Sequence, residues 1–145
     1  MNPFDPRAVL LAKHAQHVVL IHFPIALFIA GVFFDLLAQR TRNATTSAAA
    51  RYNLVAAAVF VPPVLLTGAL AWLWALGAPK IKGLLLWHLL IGCNAGILIM
   101  AVGWLHFRIH ERTRLPRYRL PIELVTVALV GLSAHLGGFL SGVSG

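Results

Sequence analysis

Charged residues are scarce in this chain of 145 residues. They make up 11% of it, and only four are acidic, whereas 59% of the residues are hydrophobic. A soluble domain carries about 25% charged residues, so this chain has too few to cover a surface in water. The scarcity excludes an ordinary soluble globular protein and indicates a chain that is largely surrounded by lipid.

Cysteine and acidic residues are also too few for several kinds of chemistry. Cys93 is the only cysteine, so the chain cannot form an internal disulfide. A Cys-x-x-Cys-His motif is absent, which excludes covalent attachment of a c-type haem. None of the acidic residues is expected at the level of the membrane histidines described below, which disfavours hydrolytic and Ser-His-Asp chemistry. They are Asp5, Asp35, Glu111 and Glu123.

Four long segments contain neither lysine nor arginine, and each reaches the roughly 20 apolar residues that cross a hydrocarbon core. They predict spans at about 18–39, 52–77, 83–107 and 120–141. The spans must be helices, because a lipid-exposed backbone has to satisfy its own hydrogen bonds. We therefore expect one domain over 1–145, an all-α integral membrane four-helix bundle with up-down-up-down topology. Residues 1–17 are expected to be a periplasmic or interfacial helical lead-in.

The basic residues lie mostly in the two loops that follow spans 1 and 3. By the positive-inside rule, these loops are cytoplasmic and both termini are periplasmic. The net charge of +8 is thus explained by topology and by attraction to anionic lipid, and nucleic acid is not an expected partner. Eight of the twelve basic residues are in this group: Arg40, Arg42, Arg51, Arg108, Arg112, Arg114, Arg117 and Arg119.

Three histidines from three different spans lie at one depth below the predicted outer surface. His22 falls about one turn into span 1, and His88 and His135 fall one to two turns from the outer ends of spans 3 and 4. At a rise of about 1.5 Å per residue, all three lie roughly 6–9 Å below that surface. His17 lies a little more than one turn above His22, at the interface. Because ionisable residues inside a membrane mark functional sites by default, we interpret these histidines as one shared site.

Imidazole is the most common metal ligand in proteins and brings no charge that the membrane must compensate. Helix bundles hold haem between facing helices, and Gly137 and Gly138 beside His135 would let a flat ring approach span 4. The sequence therefore predicts b-type haem near the outer face, with His22 and either His88 or His135 as axial ligands. His17 is expected to serve the same site, at a haem propionate, a second metal or a quinone.

Two alternatives stay open on the residues alone. In the first, His22, His88 and His135 bind copper or zinc, although the carboxylate that usually acts as general base at a three-histidine zinc site has no candidate here. In the second, the histidines only form hydrogen bonds, and the chain is a non-redox structural or assembly subunit of a membrane complex.

The first span, HVVLIHFPIALFIAGVFFDLLA, resembles the opening of the DUF2231 family of bacterial predicted membrane proteins. Val18 stands where the family often has proline, and Ala71 where its second span often has an acid. LTGALAW at 66–72, WHLLIG at 87–92 and SAHLGGFLSG at 133–142 are similar to the family's later spans. The residues that match the first-span motif, His-Pro-x-x-x-His-Phe-Pro-Ile followed by Asp, are His17, His22, Phe23, Pro24, Ile25 and Asp35.

The resemblance implies a multi-pass protein of the bacterial inner membrane. The family's domain also occurs joined to cytochrome c-like or Rieske iron–sulfur domains, which implies electron transfer at the periplasmic face. We therefore expect an electron carrier rather than a stand-alone enzyme, passing electrons between a periplasmic redox protein and quinone or a larger respiratory-type complex. The other expected partners are the lipid bilayer and a second copy of the chain.

Overall fold

A computed structural model describes residues 15–75, 77–108 and 118–141. Four α-helices run through these residues: α1 (Ala15–Thr41), α2 (Ala44–Leu70), α3 (Leu84–Arg108) and α4 (Arg119–Leu140). A π-helical turn, Ala71–Ala75, continues α2. Each helix is long and apolar enough to cross a membrane, so the predicted all-α, four-span fold is confirmed. Most of the predicted lead-in, residues 1–14, lies outside the described residues.

The helix limits differ most from the prediction at the turn between α1 and α2. Span 2 was expected to begin at residue 52, but α2 begins at Ala44, because its alanine-rich first turns favour a helix beyond the hydrocarbon region. Arg42 has a φ of 53° and donates its backbone N–H to the carbonyl of Ala38, which ends α1. Asn43 then caps α2, since its side-chain oxygen accepts a hydrogen bond from a backbone N–H two residues later.

The helices pack in chain order, α1 against α2, α2 against α3 and α3 against α4, while α1 and α4 make less extensive contact. Many large apolar side chains on the outer faces are exposed, as expected of a bundle whose solvent is lipid. The buried apolar side chains come from all four helices and form one cluster: Phe28, Val32, Leu54, Ala57, Val61, Ala95, Ile99, Val102 and Val130.

Two glycines let α1 and α3 approach α2 closely, one on each side of Leu54. A Cβ atom built at Gly103 of α3 would lie 2.5 Å from Cβ of Ala58 and 2.9 Å from the carbonyl oxygen of Leu54. A Cβ atom built at Gly31 of α1 would lie 2.6 Å from Cγ of Leu54. Small residues at such contacts are the usual means of close helix packing in membranes. Gly31 and Gly103 therefore determine how closely α1 and α3 pack against α2.

The two helical hairpins repeat one pattern of burial. Buried positions of α1 recur in α3 after 71 residues: Pro24 with Ala95, Phe28 with Ile99, Gly31 with Val102, Val32 with Gly103, and Asp35 with His106. Buried positions of α2 recur in α4 after 69 residues: Ala50 with Arg119, Leu54 with Glu123, Ala57 with Thr126, and Val61 with Val130. The hairpins are therefore parallel internal repeats, an arrangement known from other membrane protein folds.

Replacing Gly103 by alanine is expected to lower the free energy of unfolding by about 1–3 kcal/mol, because the new methyl group would overlap Ala58 and the backbone of Leu54. Gly131→Ala is the matched control, since a Cβ atom there meets no atom within 4 Å, and alanine favours a helix by about 1 kcal/mol over glycine. Unfolding of the detergent-solubilised protein in increasing SDS, followed by circular dichroism, measures both. Equal stability of the two variants would contradict the close approach of α2 and α3.

Candidate cofactor site

His88 lies near the start of α3, at the end of the bundle where α1 also begins, which we call the outer end. Its Nδ1 atom lies 3.0 Å from the backbone carbonyl oxygen of Ser133 on α4. A carbonyl oxygen only accepts, so Nδ1 carries the proton and donates it. Gly137 leaves room for the ring, since a Cβ atom there would lie 3.1 Å from Cε1 of His88. With Nδ1 as the donor, Nε2 is the ring atom left to bind a metal, as in metal-ligating histidines whose other nitrogen donates.

His17 repeats this arrangement in the first hairpin. Its Nδ1 atom lies 3.2 Å from the carbonyl oxygen of Val64 on α2. A Cβ atom built at Gly68 would lie 3.0 Å from Cε1 of His17. His17 and His88 are 71 residues apart, the same offset that relates the buried positions of α1 and α3. The two half-buried histidines therefore occupy equivalent places at the outer end of the bundle.

His22 faces away from the core. It is exposed, and its Nδ1 atom donates to the carbonyl oxygen of Val18 in its own helix at 2.6 Å. The neighbouring Phe23 stacks on Phe60 of α2, with ring centroids 5.1 Å apart. A shallow apolar hollow of about 300 Å³ lies beside them, which is near the lower limit of small-molecule sites at roughly 300–1,000 Å³. It is lined by residues of α1: His22, Phe23, Ala26 and Leu27.

His135 and Gly137 lie on different faces of α4, whereas Gly138, three residues after His135, lies on the same side as that histidine. The exposed ring of His135 meets Phe139 edge-on, with centroids 4.8 Å apart. Gly137 is covered by the ring of His88, whereas a Cβ atom built at Gly138 meets no atom within 4 Å. Gly137 therefore serves the packing of a histidine, and Gly138 leaves part of the surface of α4 open to the approach of a flat group.

The histidines of the three spans contact different parts of the bundle. Within the described ranges, no group of three or more His, Cys, Asp or Glu side chains is placed to hold a metal ion. His22, His88 and His135 thus do not form the three-histidine centre that the copper or zinc hypothesis requires. The position of a residue along a span predicts the depth of its side chain in the membrane. The direction of the side chain depends on the rotation of the helix about its axis, which residue spacing within one span does not give.

Four ionisable side chains are buried at the inner end of the bundle, where α1 and α3 end and α4 begins. Arg119 donates from Nε to Oδ2 of Asp35 at 2.9 Å and from Nη2 to Oδ1 at 3.3 Å. Nε2 of His106 lies 3.0 Å from Oε1 of Glu123. The position of His106 beside Arg108, at the basic inner end of span 3, suggests an interfacial residue, but His106 is only 3% exposed. Through Arg119 and Glu123, α4 is bonded to both α1 and α3.

A sequence signal for the buried position of His106 does exist. His88 and His106 are 18 residues apart, as are His17 and Asp35. This spacing equals five helical turns, so both members of each pair share a helix face. A comparison of the two hairpins would have placed His106 on the same inward face as Asp35. The nearby Arg108, taken alone, indicates a membrane boundary and so favours an interfacial position for His106.

Four membrane-crossing helices, with histidines at one end and a buried ionic cluster at the other, define a multi-pass integral membrane protein. A family described as "Predicted membrane protein (DUF2231)" matches residues 13–145, and the chain belongs to that family. The resemblance seen in the first span is thereby confirmed. No curated protein and no solved structure matches the chain.

Proposed function

We propose that this protein is an electron carrier that binds b-type haem at the outer end of its bundle, on the periplasmic side of a bacterial inner membrane. The observation that supports this most is the hydrogen bond from Nδ1 of His88 to the carbonyl of Ser133, which leaves Nε2 as the donor atom for a metal. His22 has the same tautomer, because its Nδ1 donates to the carbonyl of Val18.

In this proposal His88 would hold the haem from α3, and either His17 or His22 would hold it from α1. Haem sites in bundles are built from side chains on different helices that face each other. The proposed ligands come from α1 and α3, which are the equivalent helices of the two hairpins. The open surface at Gly138 and the exposed ring of Phe23 suit a flat apolar macrocycle. When bound between two imidazoles, haem supplies one-electron chemistry through its iron.

Electrons have to come from and pass to other molecules, because the histidines lie at one end of a small bundle. A periplasmic redox protein is the proposed partner at that end, and quinone or a larger respiratory-type complex is the proposed partner within the membrane. The exposed apolar outer faces of the helices are suited to contact with such a complex or with a second copy of the chain.

Reduction from one side of the membrane tests this function. Right-side-out vesicles are prepared from cells that make the protein with ample haem. A reductant that cannot cross the membrane is then added. We expect the reduced haem bands to appear promptly, whereas inside-out vesicles should respond only after detergent is added. Reduction from the inner side alone, or spectra no different from those of cells without the protein, would contradict the proposal.

A structural or assembly subunit is the second candidate. His17 bonds α1 to α2 and His88 bonds α3 to α4, each through a backbone carbonyl, so both histidines hold neighbouring helices together. In this case the purified protein is colourless, and His88→Ala lowers the free energy of unfolding by about 1 kcal/mol through the lost hydrogen bond. The colour of the purified protein separates the two candidates.

A further inference from the structure

Among the described residues, the ionic cluster at the inner end of the bundle is neutral only when His106 and Glu123 share one extra proton. Asp35 and Arg119 cancel each other as carboxylate and guanidinium, joined by two hydrogen bonds. A Glu123 carboxylate beside a neutral His106 would leave one negative charge on a side chain that is 0% exposed. A buried charge without compensation is strongly unfavourable. One proton, held by either partner of the 3.0 Å contact between Nε2 and Oε1, removes that charge.

The second carboxyl oxygen of Glu123 supports the same conclusion. Oε1 is engaged by His106, but Oε2 is buried and has no hydrogen-bond partner within the part of the chain that the structure describes. Buried polar atoms are normally paired, so an exception requires an explanation. A carboxyl oxygen left open in this way can receive a proton, or accept a hydrogen bond from a water molecule that delivers one.

The internal repeat indicates that packing alone does not require charged residues here. Leu54 is the counterpart of Glu123 in the first hairpin, and Ala50 is the counterpart of Arg119. Both are buried, so α2 packs with apolar side chains at the positions where α4 has ionisable ones. Ionisable groups inside a membrane are costly and usually functional. His106 and Glu123 therefore have a role besides filling space.

We propose that His106 and Glu123 form a proton-binding site in the inner half of the membrane, which takes up and releases one proton. On uptake, a hydronium ion transfers its proton to the pair: one O–H bond of the hydronium breaks, one O–H or N–H bond forms on the pair, and water remains. No oxidation state changes, and the site does not depend on haem binding.

The electrostatic surroundings of this site are defined by three helices. Among the described residues, the charged or titratable groups that act on Glu123 are Asp35 from α1, His106 from α3 and Arg119 from α4. Among the described residues, α2 contributes none to this set. Because the ion pair of Asp35 and Arg119 is neutral as a whole, a single proton on His106 or Glu123 makes the entire cluster neutral.

The composition of the chain allows a direct test by NMR, since Glu111 and Glu123 are its only glutamates. In a Glu111→Gln background, glutamate labelled with ¹³C at the side-chain carboxyl gives a single signal, that of Glu123. We expect this signal and the ¹⁵N signals of the His106 ring to move through one common transition as the pH is changed, because coupled groups titrate together. Glu123→Gln should shift or abolish the transition of His106.

Three further variants complete the test: one at the partner residue His106, one control, and one that checks the fold. His106→Gln should move the Glu123 transition, whereas Asn94→Ala should not, because Asn94 is exposed and bonds only a carbonyl of its own helix. Glu123→Leu, which copies the equivalent Leu54, shows by thermal unfolding whether the fold persists without the carboxyl group. A Glu123 signal that stays constant at every pH at which the bundle is folded would overturn the proposal. A transition of Glu123 that is unaffected by His106→Gln would overturn it equally.

Discussion

Arg119→Ala is expected to lower the free energy of unfolding by about 3–5 kcal/mol, the cost of leaving one member of a buried ion pair without its partner. Asp35 is 2% exposed and would retain only the side-chain amide of Gln39 as a hydrogen-bond donor among the contacts described. The variant also removes the ion pair that links α4 to α1, two helices in less extensive contact than α1 with α2, α2 with α3 or α3 with α4. Unfolding in SDS, followed by circular dichroism, measures the loss.

The double variant Asp35→Leu with Arg119→Leu is the matched control. It replaces both charges with apolar side chains, and removal of a complete buried ion pair is often neutral. Ala50, the counterpart of Arg119 in the first hairpin, shows that a buried apolar residue is accommodated at this position of the repeat. The double variant should therefore recover most of the stability that Arg119→Ala loses. If the two variants were equally unstable, the loss of stability could not be assigned to the Asp35 carboxylate left without its partner.

If the proposal is right, His88→Ala removes nearly all haem binding, because it deletes the proposed haem ligand, which the carbonyl of Ser133 orients. Either His17→Ala or His22→Ala should cause a loss of the same size, which identifies the ligand from α1. Haem titration of the purified variants, followed by absorbance, gives the affinities. Full haem binding by His88→Ala would exclude this histidine as a ligand.

Gly137→Ala provides an independent test of how His88 is positioned. Its methyl group would lie 3.1 Å from Cε1 of His88, so the ring has to move without losing its donor atom. We expect an affinity for haem that is lower by about 10–100-fold, the usual effect of disturbing the residues that orient a metal ligand. Gly131→Ala on the same helix faces open space and should bind haem as the wild-type protein does.

The four helices could be predicted from the sequence because lipid imposes them. A chain with few charges and long stretches without Lys or Arg has only one way to satisfy its backbone in a membrane, which is to form helices. The start of α2 could not be predicted in this way, because its first residues, from Ala44 onwards, form a helix that extends beyond the apolar stretch. Charge marks the limits of the membrane and not the limits of the helix.

The inward direction of each histidine could not be predicted from hydropathy. Helices that are apolar on every side carry no stripe that distinguishes the core from the lipid. The rotation of α1 is instead fixed by contacts such as Gly31 on Leu54, which place His17 against α2 and leave His22 exposed. The repeated offset between the hairpins does carry this information, because His17 and His88 continue the buried positions of α1 and α3.

The absorbance spectrum of the detergent-purified wild-type protein tests the central claim most directly. The protein is expressed with ample haem, and its spectrum is recorded oxidised and then reduced with dithionite, together with a pyridine haemochrome assay. We predict sharp reduced α and β bands and a haemochrome of the b type. A featureless spectrum under these conditions would contradict haem binding and would favour the structural or assembly subunit.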